Sequence, residues 1–170
     1  MTDELVERLV DSLRRLQLWQ RFENMQGVGA FALSTDDSLA TLSASVAPTG
    51  WLNSHRDHLF WPPDWPLEDG GDEALEAPWE VLERRYQAAL AQAPPAPPGE
   101  EDISAHIRGS FAHFVDALAV LRAEQFFRSE TVLLVCGTTP TPAMLNLASD
   151  AVARLNRDEV ITAWNTYWKR

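Results

Sequence analysis

Leu5, Val6, Leu9, Val10, Leu13 and Leu16 fall on one stripe, and Glu4, Glu7, Arg8, Asp11, Arg14 and Arg15 fill the opposite side. That is the 3.6-residue period of an amphipathic helix, and it predicts one over residues 3–22. Thr2 or Asp3 can cap its start, and acids in the first turn suit the helix dipole. Gly27 and Gly29 then break the pattern. Ala30-Phe-Ala-Leu33 reads as a short strand. From Leu39 to Val46, Leu39, Thr41, Ser43 and Ser45 alternate against Ala40, Leu42, Ala44 and Val46. With the turn cluster Ser34-Thr-Asp-Asp-Ser38 between them, the two segments predict a β-hairpin.

Residues 48–73 carry Pro48, Gly50, Pro62, Pro63, Pro66, Gly70 and Gly71, which exclude a long regular element. The stretch also holds Trp51, Phe60, Trp61 and Trp65, so it is expected to pack rather than trail in solvent. A second helix is predicted over 73–92, with Val81, Leu82, Tyr86, Ala89 and Leu90 inward and Pro78 in its first turn. Ala93-Pro-Pro-Ala-Pro-Pro-Gly99 is a stiff internal connector. Residues 102–127 form the strongest helical pattern, through Ile103, Ile107, Phe111, Phe114, Val115, Leu118 and Leu121. The unbroken apolar run Thr131-Val-Leu-Leu-Val-Cys-Gly137 predicts a central strand buried on both faces. Thr141 caps a helix opened by Pro142 and running to 156, and a last helix spans 160–168. This order predicts the α+β class: a small, mostly antiparallel sheet packed with five or so helices, in a single domain over 1–170.

Length and composition agree with one folded unit. A domain of about 150 residues hides roughly 70% of its unfolded surface. Hydrophobic residues at 45% and charged residues at 23% are ordinary globular proportions. The single cysteine, Cys136, excludes an intrachain disulfide. Met1-Thr-Asp-Glu lacks the basic and apolar regions of a signal peptide, and no apolar run approaches the ~18 residues of a membrane span. A cytoplasmic location without membrane attachment is therefore expected.

Charge narrows the partner. The net charge is −11, which opposes binding to a nucleic-acid backbone and favours either a basic partner or simply solubility, the acids then forming a solvated face. Between Pro62 and Asp102 stand eleven acids against Arg84 and Arg85, so −9 of the total sits in one quarter of the chain. Within it, Asp64, Glu68, Asp69, Asp72, Glu73, Glu76, Glu80 and Glu83, with Trp61 and Trp65 as apolar anchors, form the candidate partner-binding surface.

Residues able to do chemistry are sparse. His55 and His58 lie three apart around Asp57, but no nearby Cys or Glu cluster completes a metal site. His106 and His113 share a helix side and read as helix-surface histidines. Cys136 precedes a helix start, where a thiol can be activated, but a neutral core cysteine is the commoner state. Asp36 and Asp37 read as turn formers. No cofactor or metal is expected, and a small enzyme built on Cys136 is the reading these residues support least.

Gly29-Ala-Phe-Ala-Leu-Ser-Thr-Asp-Asp-Ser-Leu-Ala-Thr-Leu-Ser43 resembles the opening hairpin of a bacterial family described as domain of unknown function 4303, with its aromatic-rich strand, Thr-Asp-Asp turn and Thr-Leu second strand. Trp61-Pro-Pro-Asp-Trp65 is similar to that family's Trp-x-Pro-x-Asp-Trp segment, one residue shorter, and the helix, strand and helix of 102–156 match its C-terminal layout. The strand ending Val135-Cys-Gly-Thr-Thr lacks the acid expected after the family's apolar strand. The resemblance implies no enzymatic activity. It implies an immunity protein that neutralises a secreted interbacterial toxin, with an adaptor or chaperone for a secreted effector as the alternative.

Overall fold

The computed structural model describes residues 3–16, 27–69, 73–95, 104–139 and 141–169. The first helix, α1, spans Glu4–Arg15, and Asp3 caps it by accepting from the Leu5 N–H at 2.8 Å. It ends where Leu16 turns to extended backbone, with ψ at 120°. Residues 17–22 of the predicted helix lie outside the described residues. Every apolar position of the predicted stripe is buried.

The hairpin forms from β1 (Val28–Thr35) and β2 (Ser43–Pro48), paired antiparallel. Its second strand begins at Ser43, later than the alternation from Leu39 predicts. The Asp36 carboxylate explains the delay. It accepts from the Ser38 N–H, the Ser38 hydroxyl and the Ala40 N–H, and holds the chain in a turn. Leu39 is driven to a left-handed φ of 53° within that turn, yet is fully buried, so its apolar signal belongs to a loop plug rather than a strand.

Residues 48–73 contain more structure than expected. Helix α2 (Thr49–Ser54) follows β2 directly. Two 3-10 turns, Arg56–His58 and Pro62–Asp64, lead to the short strand β3 (Leu67–Asp69), which pairs antiparallel with β2. Gly29 is needed here, because a side chain at this position would meet Leu52 at 2.7 Å and the Thr49 backbone at 3.0 Å. After a 3-10 turn at Glu73–Leu75 comes α3 (Glu76–Gln92), with Pro78 inside its first turn. Residues 96–99 of the predicted connector lie outside the described residues.

Helix α4 (Ser104–Ala123) stops four residues short of the predicted end. Gln125 takes a φ of 62°, the Phe126 N–H reaches the Leu121 carbonyl, and the Gln125 N–H reaches that of Arg122. That pair of bonds is a Schellman stop, made here without glycine. It turns Phe127 into the core, with its ring centroid 5.2 Å from that of Phe31.

Strand β4 (Val132–Gly137) pairs parallel with β1, giving the sheet order β3-β2-β1-β4. The apolar run is buried from Thr131 to Val135 and half-buried at Cys136 and Gly137, but β4 is an edge strand, with β1 and β2 the inner ones. At the outer edge one side chain pairs with the backbone of Leu133. Asn156 accepts from the Leu133 N–H at 2.8 Å and donates to the Leu133 carbonyl at 2.7 Å, standing in for a neighbouring strand. Helix α5 (Pro142–Leu155), capped by Thr141, packs on β4, and α6 (Asp158–Tyr167) packs on α5.

Two of the three strand pairings are antiparallel, and six helices surround the sheet among the described residues. One buried apolar cluster draws from all six except α2, so the fold is a single α+β domain. The two faces of the sheet differ. Ala30, Ala32, Ser34, Ser43, Ser45 and Ala47 give one face small side chains beside Val132, Leu134 and Cys136 of β4, whereas Phe31, Leu33, Val46, Leu133 and Val135 fill the other.

Candidate functional site

The predicted partner-binding residues divide between two places. Glu76, Glu80 and Glu83 lie on one stripe of α3, and Glu73 precedes them in the adjoining 3-10 turn. Glu73, Glu76 and Glu80 are exposed, and Glu83 accepts a 2.8 Å bond from Gln87. The opposite side of α3 is buried through Pro78, Val81 and Leu82. Within the acidic stripe stands Trp79, three residues after Glu76 and four before Glu83. It is 44% exposed, the one exposed large apolar side chain among the described residues. Its indole N–H donates to the Ala40 carbonyl at 3.0 Å, which pins the ring over the hairpin loop carrying Asp36 and Asp37.

The loop residues behave otherwise. Trp65 is only 5% exposed, and its indole N–H bonds the His58 carbonyl at 2.8 Å, so it is a core side chain and offers no anchor to a partner. Trp61 is half-buried against Trp168 of the α6 end, with ring centroids 6.2 Å apart. Asp64 is exposed and holds His58 Nδ1 at 2.7 Å. Glu68 and Asp69 lie on β3, opposite Ser45 and Ala44, but their side chains lie outside the described residues, as does all of Asp72. Trp79 was absent from the sequence-derived set. The signal was present, because Trp79 falls on the charged side of the α3 period rather than with Val81 and Leu82.

The titratable groups are occupied with structure. His55 stacks on Trp51 at 4.4 Å and 6° and bonds the Trp51 carbonyl through Nδ1. Among the described residues no group of three His, Cys, Asp or Glu side chains is placed to hold a metal ion. His113 contacts the Arg85 guanidinium at 3.1 Å, and Arg85 grips both Asp3 carboxylate oxygens at 2.9 Å, joining α1, α3 and α4. Burial opposes ionisation of Asp3, but the Leu5 N–H, Arg85 and His113 together hold it below the usual carboxylate range. Burial holds His106 below the usual imidazole range. The two histidines thus serve different surroundings on α4. Asp36 is the turn acceptor already described.

Cys136 sits at the carboxyl end of β4, with Sγ 3.5 Å from the Ser34 hydroxyl. Burial pushes its thiol up to about 11, partly offset by Ser34, so it stays protonated at neutral pH and is a poor nucleophile. It lines an apolar cleft with Phe60, Trp61, Met144, Trp164 and Trp168. The cleft opens where β4 hands over to α5.

No family model, curated protein or solved structure matches this chain. No helix among the described residues is long and apolar enough to cross a membrane.

Proposed function

We propose that this chain is a cytoplasmic immunity protein that binds a basic, secreted interbacterial toxin and blocks it through the acidic stripe of α3. The observation that carries this reading is Trp79, held exposed among Glu73, Glu76, Glu80 and Glu83. Tryptophan is the residue most enriched at interface hot spots, and a large ring in water gains most by being covered. The acids supply long-range attraction, which raises association rates with a basic partner. Burial of the ring would then set the dissociation rate. The hairpin and tryptophan motifs point the same way by resemblance.

Affinity capture from the native cell and mass spectrometry would provide the partner, whose purified binding can be followed against salt. The triple variant E76K/E80K/E83K is expected to slow association by at least ~10-fold at low salt and to flatten the salt dependence. Trp79→Ala is expected to speed dissociation by on the order of 30-fold, the size of a hot-spot loss. Unchanged rates in both variants would reject the surface. A growth assay tests the role: the captured protein should arrest growth when expressed in the cytoplasm, and this chain should restore it. Failure of rescue rejects immunity.

A further inference from the structure

We propose that the side chain a protein partner lays on Trp79 is an arginine, its guanidinium stacked on the indole and bonded to the carboxylates beside it. This names the chemistry of the partner's anchor and rests on the reading of the α3 stripe given above.

The ring is held in place. Its indole N–H is already given to the Ala40 carbonyl at 3.0 Å, so a partner cannot use that donor. What the 44% exposed ring still offers is carbon and its π-system. Such a surface takes either an apolar group or a cation. The flanking charges decide between them. Glu76 stands three residues before Trp79 and Glu83 four after, so both are its neighbours on the helix surface, with Cβ atoms about 5–6 Å away. Glu80 follows directly, and Asp37 is exposed on the hairpin loop to which the ring is bonded. An apolar anchor would strip water from these carboxylates and return no bond to them, which is costly. A cation is attracted by the ring and by the acids together.

The protein's own cations leave the place open. Arg84 and Arg85 of the same helix turn towards α1, where they bind Glu4 at 3.1 Å and Asp3 at 2.9 Å. Glu73, Glu76 and Glu80 make no ion pair among the described residues. Arginine fits this setting better than lysine. Its planar guanidinium can stack on an indole while its in-plane N–H groups bond carboxylates, and it sheds water more readily than an ammonium group.

Hexa-arginine and hexa-lysine carry equal charge and serve as probes at low salt. Calorimetry gives both affinities. In ¹⁵N-labelled protein the Trp79 indole N–H signal, assigned by its loss in Trp79→Leu, reports contact with the ring. Hexa-arginine is expected to move that signal saturably and to bind about two- to fivefold more tightly than hexa-lysine, the size of one exposed cation–π contact. Trp79→Leu keeps an apolar side chain and should erase the preference. Trp79→Phe, which keeps a ring but loses the bond to Ala40, should still favour arginine. The triple variant E76Q/E80Q/E83Q should weaken both peptides. Equal affinities, an unmoved Trp79 signal, or a preference that survives Trp79→Leu would overturn the arginine anchor and leave the stripe to its charge-reversal test. Peptide binding indifferent to E76Q/E80Q/E83Q would instead remove the charged surface, and the proposed function with it.

Discussion

Asn156 pairs with the outward backbone groups of Leu133 at the sheet edge, and its removal should be costly. Its side-chain amide makes two bonds to Leu133, at 2.8 Å to the N–H and 2.7 Å to the carbonyl, and Leu133 is fully buried. Asn156→Leu preserves approximate volume and deletes both partners. Water cannot replace them without opening the contact between β4 and α5. Each buried backbone group left unpaired costs about 1–3 kcal/mol, so the pair is worth about 2–6 kcal/mol. Set against a typical stability of about 5–15 kcal/mol, that is a large share. For a chain of this length the melting temperature should fall by roughly 4–24 °C. Urea unfolding gives the free energy, and hydrogen exchange at the Leu133 amide gives the local cause: slow in the wild type, fast in the variant. A loss below about 0.5 kcal/mol, a value ordinary for surface changes, would show that the edge is satisfied by other means. So would an unaltered exchange rate at Leu133.

Other outcomes follow from the same geometry. Gln125→Gly should stabilise the protein by about 0.5–1 kcal/mol, because an L-residue at the left-handed Schellman position is strained and glycine is not; a lower urea midpoint would contradict this. Asp3 ionises more easily folded than unfolded, so its stabilisation is complete above its unfolded pKa of about 3.9 and disappears as pH falls through the lower folded value. Asp3→Asn, which retains the cap, should therefore unfold earlier than wild type in urea at neutral pH and match it near pH 2; a gap of equal size at both pH values would refute the pairing. The Cys136 thiol, raised from 9.0 to about 11, contributes stability below pH 9 that is lost as pH rises towards 11. At pH 8 it should react slowly with a disulfide reagent in the native protein and rapidly in urea, and fast native reaction would show an accessible, activated thiol instead.

The five longer helices were legible because their signals are local, whereas the short α2 was not read from the sequence. The α1 stripe, the Asp3 cap and the Thr141-Pro142 start of α5 each lie within a few residues, and local hydrogen bonds and apolar period are enough to specify them. The acidic stripe of α3 was legible for the same reason. Where the reading departed from the structure, the deciding contact came from far along the chain. Nothing within 131–137 distinguishes a central strand from an edge strand, since burial looks alike in both, and Asn156 supplies the missing neighbour from the end of α5. Trp65 and Trp79 are the same residue type in similarly acidic surroundings, yet one is core and the other faces solvent. Their fates depend on whether His58 or the hairpin loop lies beneath the ring. Leu39 alternates like a strand residue, but the Asp36 carboxylate and the core beneath it make it a plug. Periodicity states which side of an element is apolar. What that side meets, and which aromatic is left for a partner, is settled only when segments distant in sequence compete for the same buried space.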